Sequence, residues 1–96
     1  MLTIDEIKLA VAKVGKKYGI KNAYLFGSYA RGEANEDSDV DVIIDRGDMR
    51  GLIQLSGFRI DLSNELNNEV DVVTTLGVDP RFYDLIKKDR VLVYGA

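Results

Sequence analysis

An α/β fold, with helices covering a central sheet, is what this sequence predicts, and three observations carry it. Apolar residues recur at spacings of three and four in two long segments, from Ile4 to Tyr18 and from Leu52 to Leu66, as helices with one buried face require. Short runs rich in β-branched and aromatic residues stand between and after them: Ala23–Phe26, Asp39–Asp45, Val70–Thr75 and Val91–Tyr94. The two kinds of segment alternate along the chain, the pattern of a layered α/β domain.

Each element has its own signature. Thr3 and Glu6 form a capping box, and Ile4, Ile7, Val11, Val14 and Tyr18 make one apolar stripe that stops at Gly19. Lys13, Lys16 and Lys17 lie off that stripe, near the negative end of the helix, as a solvated face or a partner contact. Ala23–Phe26 ends at glycine and reads as a buried strand. Tyr29 to Gly32 reads as a brief helical turn, Glu33 to Ser38 as a polar loop, and Asp39 to Asp45 as the second strand. Arg46-Gly47-Asp48 breaks the chain before a helix over 51–67, which Asn67 and Asn68 close. Val70–Thr75 is the third strand, Asp79-Pro80 starts a short helix as N-cap and first helical residue, and Val91–Tyr94 is the last strand. The order is α, β, short α, β, α, β, α, β. Pattern alone does not say whether neighbouring strands run parallel.

The chain has 96 residues, which is the size of one small domain spanning 1–96 and leaves an open cleft rather than an enclosed cavity as the form of any site. No run approaches the roughly 18 apolar residues of a membrane span, and no signal-peptide pattern opens the chain, so a cytoplasmic protein is expected. The absence of cysteine excludes disulfides and thiolate zinc sites, and the absence of histidine excludes a histidine base. Carboxylates and hydroxyls must carry any catalysis. The net charge is −3, and its distribution matters more than its sum. Five lysines between Lys8 and Lys21 make the first segment basic, whereas Glu33, Glu36, Asp37, Asp39, Asp41, Asp45 and Asp48 crowd the next. An anionic nucleotide needs cations within such a cluster. No broad basic surface is present, which argues against a nucleic-acid partner.

The chemistry concentrates in Leu25-Phe26-Gly27-Ser28-Tyr29-Ala30-Arg31-Gly32 and in Ser38-Asp39-Val40-Asp41-Val42. Strand residues alternate in direction, so Asp39 and Asp41 share one face while Val40, Val42 and Ile44 take the other. Two carboxylates side by side repel, and a cation between them relieves the repulsion. The Gly27-Ser28 turn suits the close approach of a phosphate to backbone. A plain strand end and turn is the simpler use of the same two residues. Asp71 interrupts the β-branched run Glu69-Val70-Asp71-Val72-Val73 and is the candidate third ligand, giving a hard-oxygen cluster suited to two magnesium ions. Asp45 shares the face but lies about 13 Å along the strand from Asp41, and is left out. Tyr24 and Tyr29 read as packing residues.

Gly27-Ser28, ten residues, Asp39-Val40-Asp41 and a later Asp71 resemble the nucleotidyltransferases of the DNA polymerase β superfamily. The short length and the ending Val91-Leu92-Val93-Tyr94-Gly95 look like the minimal nucleotidyltransferase (MNT) proteins, antitoxins paired with HEPN-domain toxins. The resemblance covers essentially the whole chain. It implies a palm-like domain with a central mixed sheet of about four strands. By the same resemblance Asp39 and Asp41 would bind both metals, and Asp71 the metal that activates the attacking hydroxyl. Gly27 and Ser28 would seat the β- and γ-phosphates, and Arg31 would neutralise triphosphate charge or else pair with Glu33 or Glu36. The implied reaction moves AMP from ATP onto a hydroxyl, in this family a tyrosine of the cognate toxin, and releases pyrophosphate. Two alternatives stand beside it: a stoichiometric antitoxin without catalysis, and nucleotidyl transfer to a small molecule or an RNA end. An intact triad argues against the first, and the lack of room for an acceptor-holding domain against the second.

Overall fold

Thr3 opens helix α1 (Ile4–Tyr18) with a complete capping box: its hydroxyl accepts from the Glu6 N–H at 3.1 Å, and the Glu6 carboxylate accepts from the Thr3 N–H at 2.9 Å. The computed structural model describes residues 1–95. After α1 come β1 (Asn22–Phe26), α2 (Gly27–Arg31), β2 (Val40–Asp45), α3 (Gly51–Leu66), β3 (Val70–Thr74), α4 (Pro80–Asp89) and β4 (Val91–Tyr94). This is the element order expected from the sequence. The short helix begins at Gly27 rather than Tyr29, and α4 starts at Pro80, with Asp79 as its N-cap, as the sequence predicts.

The four strands form one mixed sheet in the order β3-β2-β1-β4. β1 runs antiparallel to β2 and to β4, while β2 and β3 are parallel, joined through α3. A parallel neighbour cannot be reached by a tight turn, and the crossover helix is what the connection needs. One face of the sheet presents Ala23, Leu25, Val40, Val42, Ile44, Val70 and Val93 to α1 and α3, and these side chains are buried. Ile7, Ala10, Val11 and Val14 answer from α1, and Phe58, Leu62 and Leu66 from α3. Leu52, placed in the apolar stripe by its spacing, is 78% exposed; Met49, just before the helix, is buried at that end of the core instead.

Between the two long helices, Lys13 bonds to Glu65 at 3.0 Å, and Asp61 accepts from Lys17 at 2.8 Å and from the Tyr18 hydroxyl at 2.7 Å. The basic stripe of α1 is therefore mostly spoken for by α3, and such exposed pairs add little stability. They set the helix register more than they hold the fold.

Gly47 locks two turns together. With φ at +56°, it lets the Asp48 N–H donate to the Gly19 carbonyl and the Lys21 N–H donate to the Asp45 carbonyl, both at 2.9 Å. A Cβ at Gly47 would stand 2.5 Å from the Gly19 oxygen and 2.8 Å from the Lys21 nitrogen, both backbone atoms that cannot yield cheaply. Gly47→Ala is therefore expected to cost about 2 kcal/mol or more of unfolding free energy in urea titration, the left-handed backbone and the collision acting together.

Candidate active site

The constellation assembles because two strand registers meet at Asp41. Phe26 on β1 and Asp71 on β3 are its cross-strand partners on either side. Residues in register across a sheet share a face, so the Asp41 and Asp71 carboxylates are neighbours on the face opposite α1 and α3. Asp39 stands just before β2 and is exposed. The chain around it is tied to the residues leading into β3. The Asn68 side-chain amide donates to the Ser38 carbonyl at 3.1 Å, and the Val40 N–H donates to the Glu69 carbonyl at 2.9 Å. Upstream, the Asn35 side chain accepts from the Asp37 N–H at 2.8 Å and the Ser38 hydroxyl accepts from the Asn35 N–H at 2.9 Å, which stiffens the approach.

Gly27 closes the site from the β1 side. Its φ is +74°, and a Cβ there would collide with Asp41 Oδ2 and come 3.2 Å from its Cγ. Backbone thus lies directly against the carboxylate, which no larger residue permits. Ser28 follows in the first turn of α2, half-buried, and its carbonyl accepts from the Glu33 N–H at 2.9 Å. Arg31 leaves the same helix, and its Nε donates to Glu33 Oε1 at 2.7 Å. Of its possible ion-pair partners, then, Glu33 holds it and Glu36 does not; its charge also reaches Asp41. Gly27, Ser28, Arg31, Asp39, Asp41 and Asp71 all gather at one end of the sheet. Asp45 lies at the other end, where its carboxylate accepts from the Gly47 N–H at 3.2 Å and shapes a turn. Tyr29 is buried, and its hydroxyl accepts from the Leu2 N–H at 3.4 Å, a packing role as expected.

Electrostatics mark Asp41 as the strained member. Burial, then the charges of Asp71 and Asp39, push its carboxyl up to about 6, with Arg31 pulling weakly the other way. Asp71 itself is exposed on an edge strand, so it is proximity to Asp41, rather than a buried position, that singles it out. Among the described residues no three carboxylates stand together closely enough to hold a metal ion. Even so, the donor set suits a hard divalent cation: oxygens only, mutually repelling, with Gly27 cradled against one of them.

A cleft of about 310 Å³ opens beside Gly27, lined by Phe26, Arg31, Phe82, Leu85, Ile86 and Lys88 among others. The Phe26 and Phe82 rings meet edge to face at 6.0 Å. Phe82 and Lys88 carry no motif, and only the packing of α4 beside α2 brings them here.

The raised Asp41 carboxyl sets a pH dependence. A group whose folded pKa exceeds its unfolded value destabilises the fold once it ionises, so the cost appears as pH rises from about 4 through 6. In metal-free buffer, Asp41→Asn is expected to unfold at a higher temperature than the parent at pH 8. The gap should close by pH 4; an equal gap at both values counts against charge crowding.

The model of the nucleotidyltransferase domain family matches residues 5–93. A Methanocaldococcus jannaschii protein, provisionally named a protein adenylyltransferase, is 37% identical over 91 residues, covering 95% of this chain and 92% of that one. A solved minimal nucleotidyltransferase, likewise provisionally named, superposes with a TM-score of 0.80 at 28% identity, over 94% of this chain and 95% of its own. A third likeness is to a complex of tri-AMPylated Shewanella oneidensis HEPN toxin with MNT antitoxin. Its TM-score is 0.71 at 20% identity, over 96% of this chain and 71% of that one, and it shows the shared fold. With nearly its whole length inside the family model, the chain belongs to the nucleotidyltransferase domain family, alongside proteins named as protein adenylyltransferases.

Proposed function

We propose that this chain is a magnesium-dependent protein adenylyltransferase. It moves AMP from ATP onto a hydroxyl, a tyrosine, of a HEPN-domain toxin, releases pyrophosphate and so silences the toxin. The observation that carries this reading is the crowding of Asp41 between Asp71 and Gly27, a carboxylate pair with backbone laid against it. The tri-AMPylated HEPN toxin of the similar complex supports the choice of acceptor.

The residues divide the work by position. Asp39 and Asp41 would hold the two magnesium ions, with Asp71 completing the site on the side open to an incoming acceptor. Bound there, magnesium would lower the pKa of the hydroxyl and stabilise the negative charge on the attacking and leaving oxygens. Gly27 offers its N–H, and Ser28 its N–H and hydroxyl, to the β- and γ-phosphates. Arg31 leaves Glu33 to neutralise the triphosphate. The acceptor oxygen bonds to the α-phosphorus as the bond to pyrophosphate breaks. With no histidine in the chain, the hydroxyl proton leaves to a carboxylate or to water.

The test is label transfer. The chain, magnesium and ATP labelled in the α-phosphate are incubated with a HEPN-domain protein from the same genome, and label on that protein is counted. Asp41→Asn is expected to lower transfer by roughly 100-fold or more while the two proteins still bind, the scale of losing one transition-state charge contact. Toxin neutralised equally well by an Asp39→Asn/Asp41→Asn double variant would instead make the chain a stoichiometric binder.

In the same assay Gly27→Ala should approach the Asp41→Asn loss, because the added methyl occupies the space of the Asp41 carboxylate. An active Gly27→Ala enzyme would separate the Gly27 turn from the chemistry.

A further inference from the structure

Two hydrogen bonds fix the phase of the β2–β3 ladder. The Val40 N–H donates to the Glu69 carbonyl, and the Thr75 N–H donates to the Ile44 carbonyl at 3.0 Å. In a parallel pair the bonding residues alternate along each strand. With the register Val40↔Val70 through Ile44↔Thr74, it is therefore Asp71 and Val73 whose backbone groups bond inward to β2. Val70, Val72 and Thr74 turn their N–H and C=O groups to the outer edge. The Thr74 carbonyl is taken by the Gly77 N–H at 3.2 Å. The two N–H and two C=O groups of Val70 and Val72, and the Thr74 N–H, have no protein partner among the described residues.

Natural sheets protect such an edge with lysine, proline, a bulge or brevity. The other edge of this sheet follows that rule: β4 is four residues long and its pairing with β1 shifts register at Ala23/Tyr24. The β3 edge does not. It is five residues long and pairs with β2 without a break. It contains neither lysine nor proline, and three of its residues are valine. Its only charge is Asp71, the carboxylate that faces Asp41.

We infer that the free edge of β3 is the docking strand for the acceptor protein, which adds an extended segment to the sheet and so brings its hydroxyl to Asp71. The inference rests on the proposed transfer to a protein hydroxyl and extends it to how that protein is recognised. Main-chain bonds to Val70, Val72 and Thr74 give the affinity, as in other strand additions. The added strand lies about 4.8 Å from β3, and alternate side chains share the open face of Asp71 and Asp41. A residue of that segment level with Asp71 then reaches the proposed site without crossing any other element. A second copy of this chain is the poorer occupant. An antiparallel β3–β3 pair would bring two such acidic clusters to one seam, with Glu69 and Asp71 of each copy and no lysine or arginine within the strand to offset them.

Amide hydrogen exchange by NMR tests this on the unaltered chain. Alone, Val70, Val72 and Thr74 should exchange fast while Asp71 and Val73 are protected. With a HEPN-domain protein from the same genome at saturating concentration, the first three should become protected as well. Fast exchange persisting at those three in a formed complex overturns the inference, as does failure of any complex to form. Protection that appears without that protein and grows with the concentration of this chain overturns it in favour of self-pairing.

Val72→Pro gives an independent reading, because proline is tolerated where a strand's N–H faces outward. It should keep the thermal shift given by magnesium with a non-hydrolysable ATP analogue, yet lose roughly tenfold or more in AMP transfer to the HEPN protein, since one main-chain bond goes and the ring obstructs the edge. Undiminished transfer overturns the docking edge and leaves the adenylyltransferase reading standing. No transfer by the unaltered chain defeats that reading instead, and the exchange pattern still reports on the edge.

Discussion

Parallel pairing of β2 with β3, in the register that sets Asp41 beside Asp71, is the constraint on which the rest of this molecule turns. Like charges on neighbouring strands destabilise a sheet, and after burial the charges of Asp71 and Asp39 are what push the Asp41 carboxyl up to about 6. What holds the register is the opposite face. Val40, Val42 and Ile44 alternate with the acidic residues and are wholly buried, together with Val70, under α1 and α3. A slip of one residue would carry those side chains to solvent and the aspartates into the core. The apolar face therefore fixes the position of the charged one, and burial of aliphatic side chains is what keeps two carboxylates together.

The two faces divide the labour. Helices α1 and α3 cover one fully, and the paired Lys13–Glu65 and Lys17–Asp61 contacts keep those helices aligned. The other face is covered in part by α4, where Ile86 is buried and the Arg90 guanidinium lies 4.0 Å from the centre of the Tyr24 ring. At the end bearing Asp41 that cover gives way to the cleft beside Gly27. Coverage is complete over the aliphatic face and partial at the end bearing Asp41. Arg31 sits at this border, paired with Glu33.

Much of this was legible in the sequence because the signals are local. The Thr3–Glu6 box, the Asp79-Pro80 start of α4, the helical stripes and the alternation of Asp39 and Asp41 with valine each depend on neighbours a few residues away. Asp71 was singled out by its position in a β-branched run, although the edge strand leaves it exposed rather than buried. Tertiary facts had no such signal. No pattern shows that β2 and β3 are parallel, that Gly27 lies against the Asp41 carboxylate, or that Phe82 and Lys88 reach the cleft from α4. Leu52 failed for the same reason. Its spacing fits the stripe, yet Met49, outside the helix, is the residue that the core buries there.

The carboxylate pair stands at the edge of the sheet, where a molecule arriving from outside can reach it. Asp41, with a strand on each side, is held rigidly by two ladders; Asp71, on the outermost strand, is held by one and faces outward. For the transfer proposed above, a metal held by that pair would be fixed on its nucleotide side and open on its acceptor side. That asymmetry would suit the proposed transfer, with the donor seated at the Gly27-Ser28 turn and the hydroxyl brought from outside. On that proposal the exposure of Asp71 serves the reaction, for a third carboxylate buried as deeply as Asp41 would leave an acceptor less room to approach.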